Sequence, residues 1–176
     1  MSIIVDPGLP LHHVGMGQLS VGTHGEQLQA LLGSCIGIGF IWKNGPCCGL
    51  AHCLLPEAPG TDGSLGARYV SQAVPSLLRL MGARQADYAD IEVVLAGGAS
   101  MFGPAHAHGR LQVGRQNAQA AQKYLDQCGL HVSFCALGGR HARQLLIDCA
   151  HHSYAVTDVV APPEWIPRNE GAYGYA

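Results

Sequence analysis

Residues 31–56 read LLGSCIGIGFIWKNGPCCGLAHCLLP, and this stretch decides the fold class. CIGIGFIW (35–42) is an apolar strand, Asn44-Gly45-Pro46 supplies turn chemistry, and CCGLAHCLL (47–55) is a second strand, so the two form a β-hairpin. Gly37, Gly39 and Gly49 cost backbone entropy inside those strands, which predicts bulges or close backbone approach. Upstream, QLQALL (27–32) runs into the small corner LGSC (32–35), and HHVGMGQLSV (12–21) predicts a strand near the domain edge.

Downstream, EAPGTDGSLG (57–66) is a polar, Gly-rich loop. Tyr69, Val70, Ala73, Val74, Leu77, Leu78 and Met81 then recur at helical spacing, with Pro75 kinking or restarting the helix and Gly82 at its stop. IEVVLAGGASMF (91–102) is a β-branched run ending past a glycine pair, and GPAHAHGR (103–110) reads as loop. RQNAQAAQKYLDQC (115–128) is a second helix stopped by Gly129. LHVSFCAL (130–137), RQLLIDC (143–149) and YAVTDVV (154–160) are further strands, and the tail 162–176 is expected to be irregular. Mostly strands, two principal helices and no regular β/α alternation give an α+β fold, with helices packed on a mixed sheet or sandwich.

The chain has 176 residues, which fits one domain spanning 1–176 with its core at about 14–160. Only 12% of residues are charged against 48% hydrophobic, so the chain buries most of itself. A formal net charge of −2 and scattered cations leave no basic stripe, which argues against nucleic acid as a partner. No cationic leader, secretory-length apolar run or run approaching 18 apolar residues is present, so no membrane insertion and a cytosolic location are expected. Seven cysteines without a repeated C-x-x-C spacing read as reduced thiols.

Cys35 is the first candidate for chemistry. A free thiol is only about 3% thiolate at pH 7, and a site that lowers its pKa makes it a nucleophile. Gly33 and Ser34 permit a tight corner, and their N–H groups are placed to face a developing oxyanion. The competing reading is a small core thiol, the commoner fate of a cysteine. His52 follows 17 residues later across the hairpin, so the antiparallel pair can bring its imidazole near the thiol. Its competing reading is a core histidine bonded to the backbone, although Pro56 is expected to keep it close to a loop.

His12-His13, His106 with His108, His151-His152 and Cys47-Cys48 lack the paired spacing of a zinc site, so no metal is expected. GGAS (97–100) lacks the residues of a phosphate loop and reads as a tight turn. GGRHAR (138–143) reads as a solvated loop that an acidic partner surface could also use.

Taken together, VGMGQLSV, LGSCIGI, AHCLLP, GGASMF, VGRQN and GGRHAR resemble the CheD family, the chemoreceptor glutamine deamidases of bacterial and archaeal chemotaxis. The resemblance covers about residues 14–160. It implies that Cys35 is the nucleophile and His52 the general acid/base, without metal or organic cofactor. A Thr, Cys, His triad is usual in the family, and Gln29 stands at the threonine position, where its carboxamide would have to orient the imidazole. The resemblance further implies a fold similar to the catalytic domain of cytotoxic necrotizing factor toxins, and methyl-accepting chemotaxis receptors as substrates. A second implication is an adaptor role, binding those receptors or a CheC-type phosphatase with little catalysis.

Overall fold

A computed structural model describes residues 6–60, 63–100 and 107–159, with only the backbone helix described for 107–112. Among the described residues nine strands and two α-helices follow in the order β1 (Leu11–His13), β2 (Leu19–Thr23), β3 (Gln27–Leu32), β4 (Ile36–Trp42), β5 (Cys47–Cys53), α1 (Val70–Met81), β6 (Ile91–Gly97), α2 (Ala107–Cys128), β7 (Val132–Leu137), β8 (Ala142–Asp148) and β9 (Ser153–Val159). A short 3-10 helix, Gln85–Asp90, leads into β6. The architecture is α+β, with two mixed sheets ordered β1-β3-β8-β9 and β2-β5-β4-β6-β7. Every pairing is antiparallel except β1 with β3 and β6 with β7.

The two sheets pack face to face through Leu28, Ala30 and Leu32 of β3, Leu145 and Ile147 of β8, and Cys48, Leu50, Val94 and Ala96 of the five-stranded sheet. The other face of that sheet carries Ile36, Ile38, Phe40, Ala51, Cys53 and Leu95 against both helices. β4 and β5 are thus covered on both sides, which explains why the hairpin reads as two nearly unbroken apolar runs. Its glycines mark close approach: a Cβ on Gly37 would lie 2.6 Å from Leu32 Cδ1, and one on Gly49 2.9 Å from Leu77 Cδ2 of α1.

Helix α1 buries Val70, Ala73, Val74, Leu77, Leu78 and Met81, the stripe its spacing predicts. Pro75 sits within it, exposed, and the helix runs through. Gly82 closes it in the left-handed region at φ 70°, its N–H donating to Arg79 while Ala83 N–H donates to Leu78 at 3.0 Å.

Two boundaries differ from expectation. HHVGMGQLSV is not one edge strand: His12 and His13 belong to β1 in one sheet, and Leu19 to Val21 to β2 in the other. A turn through Gly17, at φ 76°, lets the chain change sheets. Helix α2 begins at Ala107, inside the segment expected to be loop. Within that helix Gly114 allows close approach to Gly98: a Cβ there would lie 3.0 Å from the Gly98 carbonyl oxygen. Met101, Phe102 and the expected irregular tail lie outside the described residues.

Candidate active site

The corner at Gly33–Cys35 joins β3 of one sheet to β4 of the other and is held from the end of β6. Gly98 N–H donates to the Cys35 carbonyl and Ala99 N–H to the Gly33 carbonyl, both at 2.8 Å. Gly97 stands at φ 109°, where a Cβ would lie 2.2 Å from the Cys35 oxygen, so only glycine fits. GGAS is therefore the tight turn its sequence suggests, and what it clamps is the LGSC corner. Among the described residues the N–H groups of Gly33 and Ser34 donate no main-chain hydrogen bond.

GGRHAR closes the same end. Gly138 N–H donates to Gly97 O and Ser100 N–H to Gly139 O, both at 2.9 Å. Arg143 donates to the Gly138 and Gly97 carbonyls at 2.6 and 3.2 Å and pairs with Asp158 at 3.0 Å. Its side chain is mostly covered, so Arg143 is a strut for the turn rather than part of the solvated loop expected there.

VGMGQ wraps His52. Gln18 O accepts the His52 N–H at 2.9 Å, Gly17 N–H donates to the His52 carbonyl at 2.8 Å, and Val14 O faces ring Nδ1 at 3.1 Å. A carbonyl only accepts, so Nδ1 carries the proton and Nε2 of the neutral ring is the free lone pair. That Nε2 is buried with no hydrogen-bond partner among the described residues. His52 is only 3% exposed, deeper than the following proline suggested. Strand alternation places it with Cys48 and Leu50 on the face that the four-stranded sheet covers.

His52 pairs with Gly37 in the β4–β5 ladder, and Cys35 lies two residues before Gly37. The two are diagonal neighbours at the same end of one sheet, a relationship that spans about 7–8 Å between Cα atoms. Because Nε2 has no partner, the Cys35 thiol is not hydrogen-bonded to it here. Gln29 is placed differently. Leu28, Ala30 and Leu32 face the inter-sheet core, so alternation sets Gln29 and the exposed Leu31 on the outer face of the other sheet. Only its main chain reaches the site, Gln29 O accepting Val14 N–H at 2.7 Å. The carbonyl of Val14 occupies the orienting position for which Gln29 was the sequence candidate.

Burial pushes the Cys35 thiol above its ordinary range, with no cation opposing the shift. Burial also pulls the His52 ring down, and the bond to Val14 offsets this only in part. Both directions favour a neutral thiol beside a neutral imidazole, not the lowered thiol expected from the corner. Cys47 and Cys48 are both buried, although alternation on a one-sided strand would have turned one outward. Cys135 is exposed on β7. Among the described residues no three His, Cys, Asp or Glu side chains gather where they could hold a metal ion.

Val14 was not singled out from the sequence and GGAS was read only as a tight turn, yet both hold the candidate site. Their signal was present in VGMGQ and GGAS, where paired glycines beside a polar residue bracket a chain that approaches another backbone closely.

Fold and site define an α+β protein with a cysteine–histidine pair at one end of two stacked sheets. A family model described as CheD chemotactic sensory transduction matches residues 54–158. A probable chemoreceptor glutamine deamidase CheD of Bdellovibrio bacteriovorus is 36% identical over 136 residues, covering 77% of this chain and 87% of the relative. One from a Ruegeria species is 34% identical over 163 residues, 84% and 91% of the two chains. A third, from Methanococcus maripaludis, is 35% identical and covers 81% and 92%. The chain belongs to the CheD family.

Proposed function

We propose that this protein, one CheD-like domain over 1–176, hydrolyses selected glutamine side chains of methyl-accepting chemotaxis receptors to glutamate and releases ammonia. The relatives' names support the reaction class. The observation that carries it to these residues is the buried, unpartnered Nε2 of His52 at the same end of the sheet as Cys35.

The neutral pair sets the order of events. On substrate binding Cys35 turns toward His52, and Nε2 takes the thiol proton as Sγ attacks the carboxamide carbon. The N–H groups of Gly33 and Ser34 take the oxyanion. The imidazolium gives its proton to the departing nitrogen, the C–N bond breaks, and ammonia and a thioester remain. Neutral His52 then removes a proton from water as the water attacks the thioester. Its collapse yields the carboxylic acid and returns the proton to sulfur. Val14 O holds the ring throughout and stabilises its charged form, as the upward pull on its pKa indicates. The mechanism calls on no metal or organic cofactor.

The substrate helices lie on the cytoplasmic side of the receptor, so the reading places the protein in the cytoplasm; no described helix is long and apolar enough to cross a membrane. We infer also that the stacked sheets are similar to the catalytic domain of cytotoxic necrotizing factor toxins, a reading supported by a cysteine and a histidine at one end of paired strands.

The raised thiol and its separation from Nε2 favour a second reading, an adaptor that binds receptors or a CheC-type phosphatase with weak catalysis. Incubation with a receptor cytoplasmic fragment and peptide mass mapping separates the two. Glutamine-to-glutamate conversion that Cys35→Ala abolishes is expected. Retained receptor binding without conversion would establish the adaptor instead.

A further inference from the structure

Asn117 lies in the first half of α2 and is fully buried. Its amide nitrogen donates to the main-chain carbonyl of Leu54 at 2.9 Å, which fixes the orientation of the amide because a carbonyl only accepts. The other atom of that amide, Oδ1, is buried with no hydrogen-bond partner among the described residues. A buried acceptor left without a donor is rare and costly in a folded protein, and its position points to a group that arrives later.

The topology links this amide to the corner through its partner, Leu54. The β4–β5 ladder ends with Ile36 opposite Cys53, so the next step sets Leu54 across from Cys35. The amide's own geometry keeps Oδ1 within about 5 Å of the Leu54 oxygen. One turn earlier, Gly114 packs against Gly98, whose N–H holds the Cys35 carbonyl. Helix α2 therefore touches both chains that flank the nucleophile. It packs on the helix-covered face of the five-stranded sheet, whereas His52 lies on the face toward the other sheet.

We propose that Asn117 determines specificity for a carboxamide, its Oδ1 accepting an N–H from the nitrogen that will leave. The proposal rests on the glutamine-hydrolysis reading and deepens it. A glutamine side chain carries two N–H donors on that nitrogen, and glutamate at neutral pH carries only acceptors. Asn117 thus favours the amide and repels the carboxylate product. With Asn117 on one face of the sheet and His52 on the other, an N–H points to Oδ1 while the nitrogen lone pair is left for the proton from His52.

The test compares a receptor-derived peptide bearing the target glutamine with the same peptide bearing its γ-methyl ester, which has no N–H on the leaving group. Asn117→Ala is expected to lower kcat/KM on the amide by about tenfold or more and to leave the ester within about twofold. An equal fall on both substrates overturns the proposal and leaves Asn117 as a brace for Leu54. Should the variant fail to fold, the Cys35→Ala protein serves: saturating glutamine peptide is expected to shift the Asn117 side-chain amide resonance, and glutamate peptide is not. Identical spectra with both peptides overturn the proposal. A parent protein inert toward both substrates overturns the glutamine-hydrolysis reading, and this proposal with it.

Discussion

The His52 ring donates from Nδ1 to the main-chain carbonyl of Val14 at 3.1 Å, and Val14 in turn is held through its N–H by the carbonyl of Gln29 at 2.7 Å. Gln29 thus acts on the histidine at one remove and through its backbone. Gln29→Ala should leave turnover within about twofold of the parent, and Gln29→Thr should bring no gain, because neither change alters the Gln29 carbonyl. A tenfold loss in Gln29→Ala at unchanged thermal stability would show that the side chain does reach the imidazole.

In the proposed mechanism His52 carries the proton in both half-reactions. His52→Gln should lower turnover by at least about a hundredfold, read as glutamate formed per unit time by mass mapping. Near-normal turnover would remove the imidazole from the mechanism and favour the adaptor reading.

The pH profile follows from the two shifts. Burial lowers the His52 pKa from 6.5 and raises that of Cys35 from 9.0, so the competent neutral pair spans the interval between them. kcat/KM should be flat from about pH 7 to 8.5, falling in acid as His52 is protonated and in alkali as Cys35 ionises. A thiolate–imidazolium pair would place the alkaline limb below 9, which would overturn the neutral-pair order. Stability has the same acid sign. The folded ring resists a proton that the unfolded chain accepts at 6.5, so the contribution of neutral His52 is whole above that pH and is lost as pH falls through the lowered value. The Tm of the parent should therefore drop more between pH 7 and 5 than that of His52→Gln.

The hairpin, the LGSC corner and α1 were legible because each depends on local rules, namely turn residues, apolar runs and 3.6-residue spacing. The depth of His52 was not, since it depends on β3 and β8, which arrive from distant parts of the chain to cover β5. The division of HHVGMGQLSV between two sheets was hidden for a related reason: a glycine serves a turn and a close approach equally well. The facing of Gln29 was readable. QLQALL alternates, so Leu28, Ala30 and Leu32 share one face and exclude Gln29 from it. The resemblance pointed to a side-chain role there, whereas the strand's periodicity assigns a backbone one.

Gly97 tests whether the clamp on the corner is needed. At φ 109°, with a Cβ position 2.2 Å from the Cys35 oxygen, an alanine must displace the backbone that carries Cys35. Gly97→Ala should cost about 2 kcal/mol or more, seen as a Tm about 4–8 °C lower, together with a loss of turnover. Gly60→Ala is the control, since nothing lies within 4 Å of its Cβ position, and it should stay within about 0.5 kcal/mol of the parent. Equal effects from the two changes would mean that the end of β6 yields to the added methyl.

The seven thiols differ in exposure enough to be ranked by reaction with iodoacetamide. Cys135 is exposed on β7, and the nearby Arg143 partly offsets the burial that raises its pKa, so it should react first. Cys35 and Cys128 are half-buried and raised with nothing opposing the shift, so they should follow, their rates climbing about tenfold per pH unit through pH 9 as thiolate forms. Cys47, Cys48, Cys53 and Cys149 lie inside the two cores and should label only on unfolding. In a Cys128→Ser, Cys135→Ser background, a sub-stoichiometric pulse at pH 8 should place the label on Cys35 and abolish deamidation in proportion to the adduct found by peptide mapping. The informative reversal is at pH 6.5. A thiol with a pKa of 9 is then well under about 1% ionised, so rapid labelling of Cys35 ahead of Cys135 would require a thiolate stabilised by protonated His52. That result would replace the neutral pair by an ion pair, and it would require Cys35 to reach Nε2 before any substrate arrives.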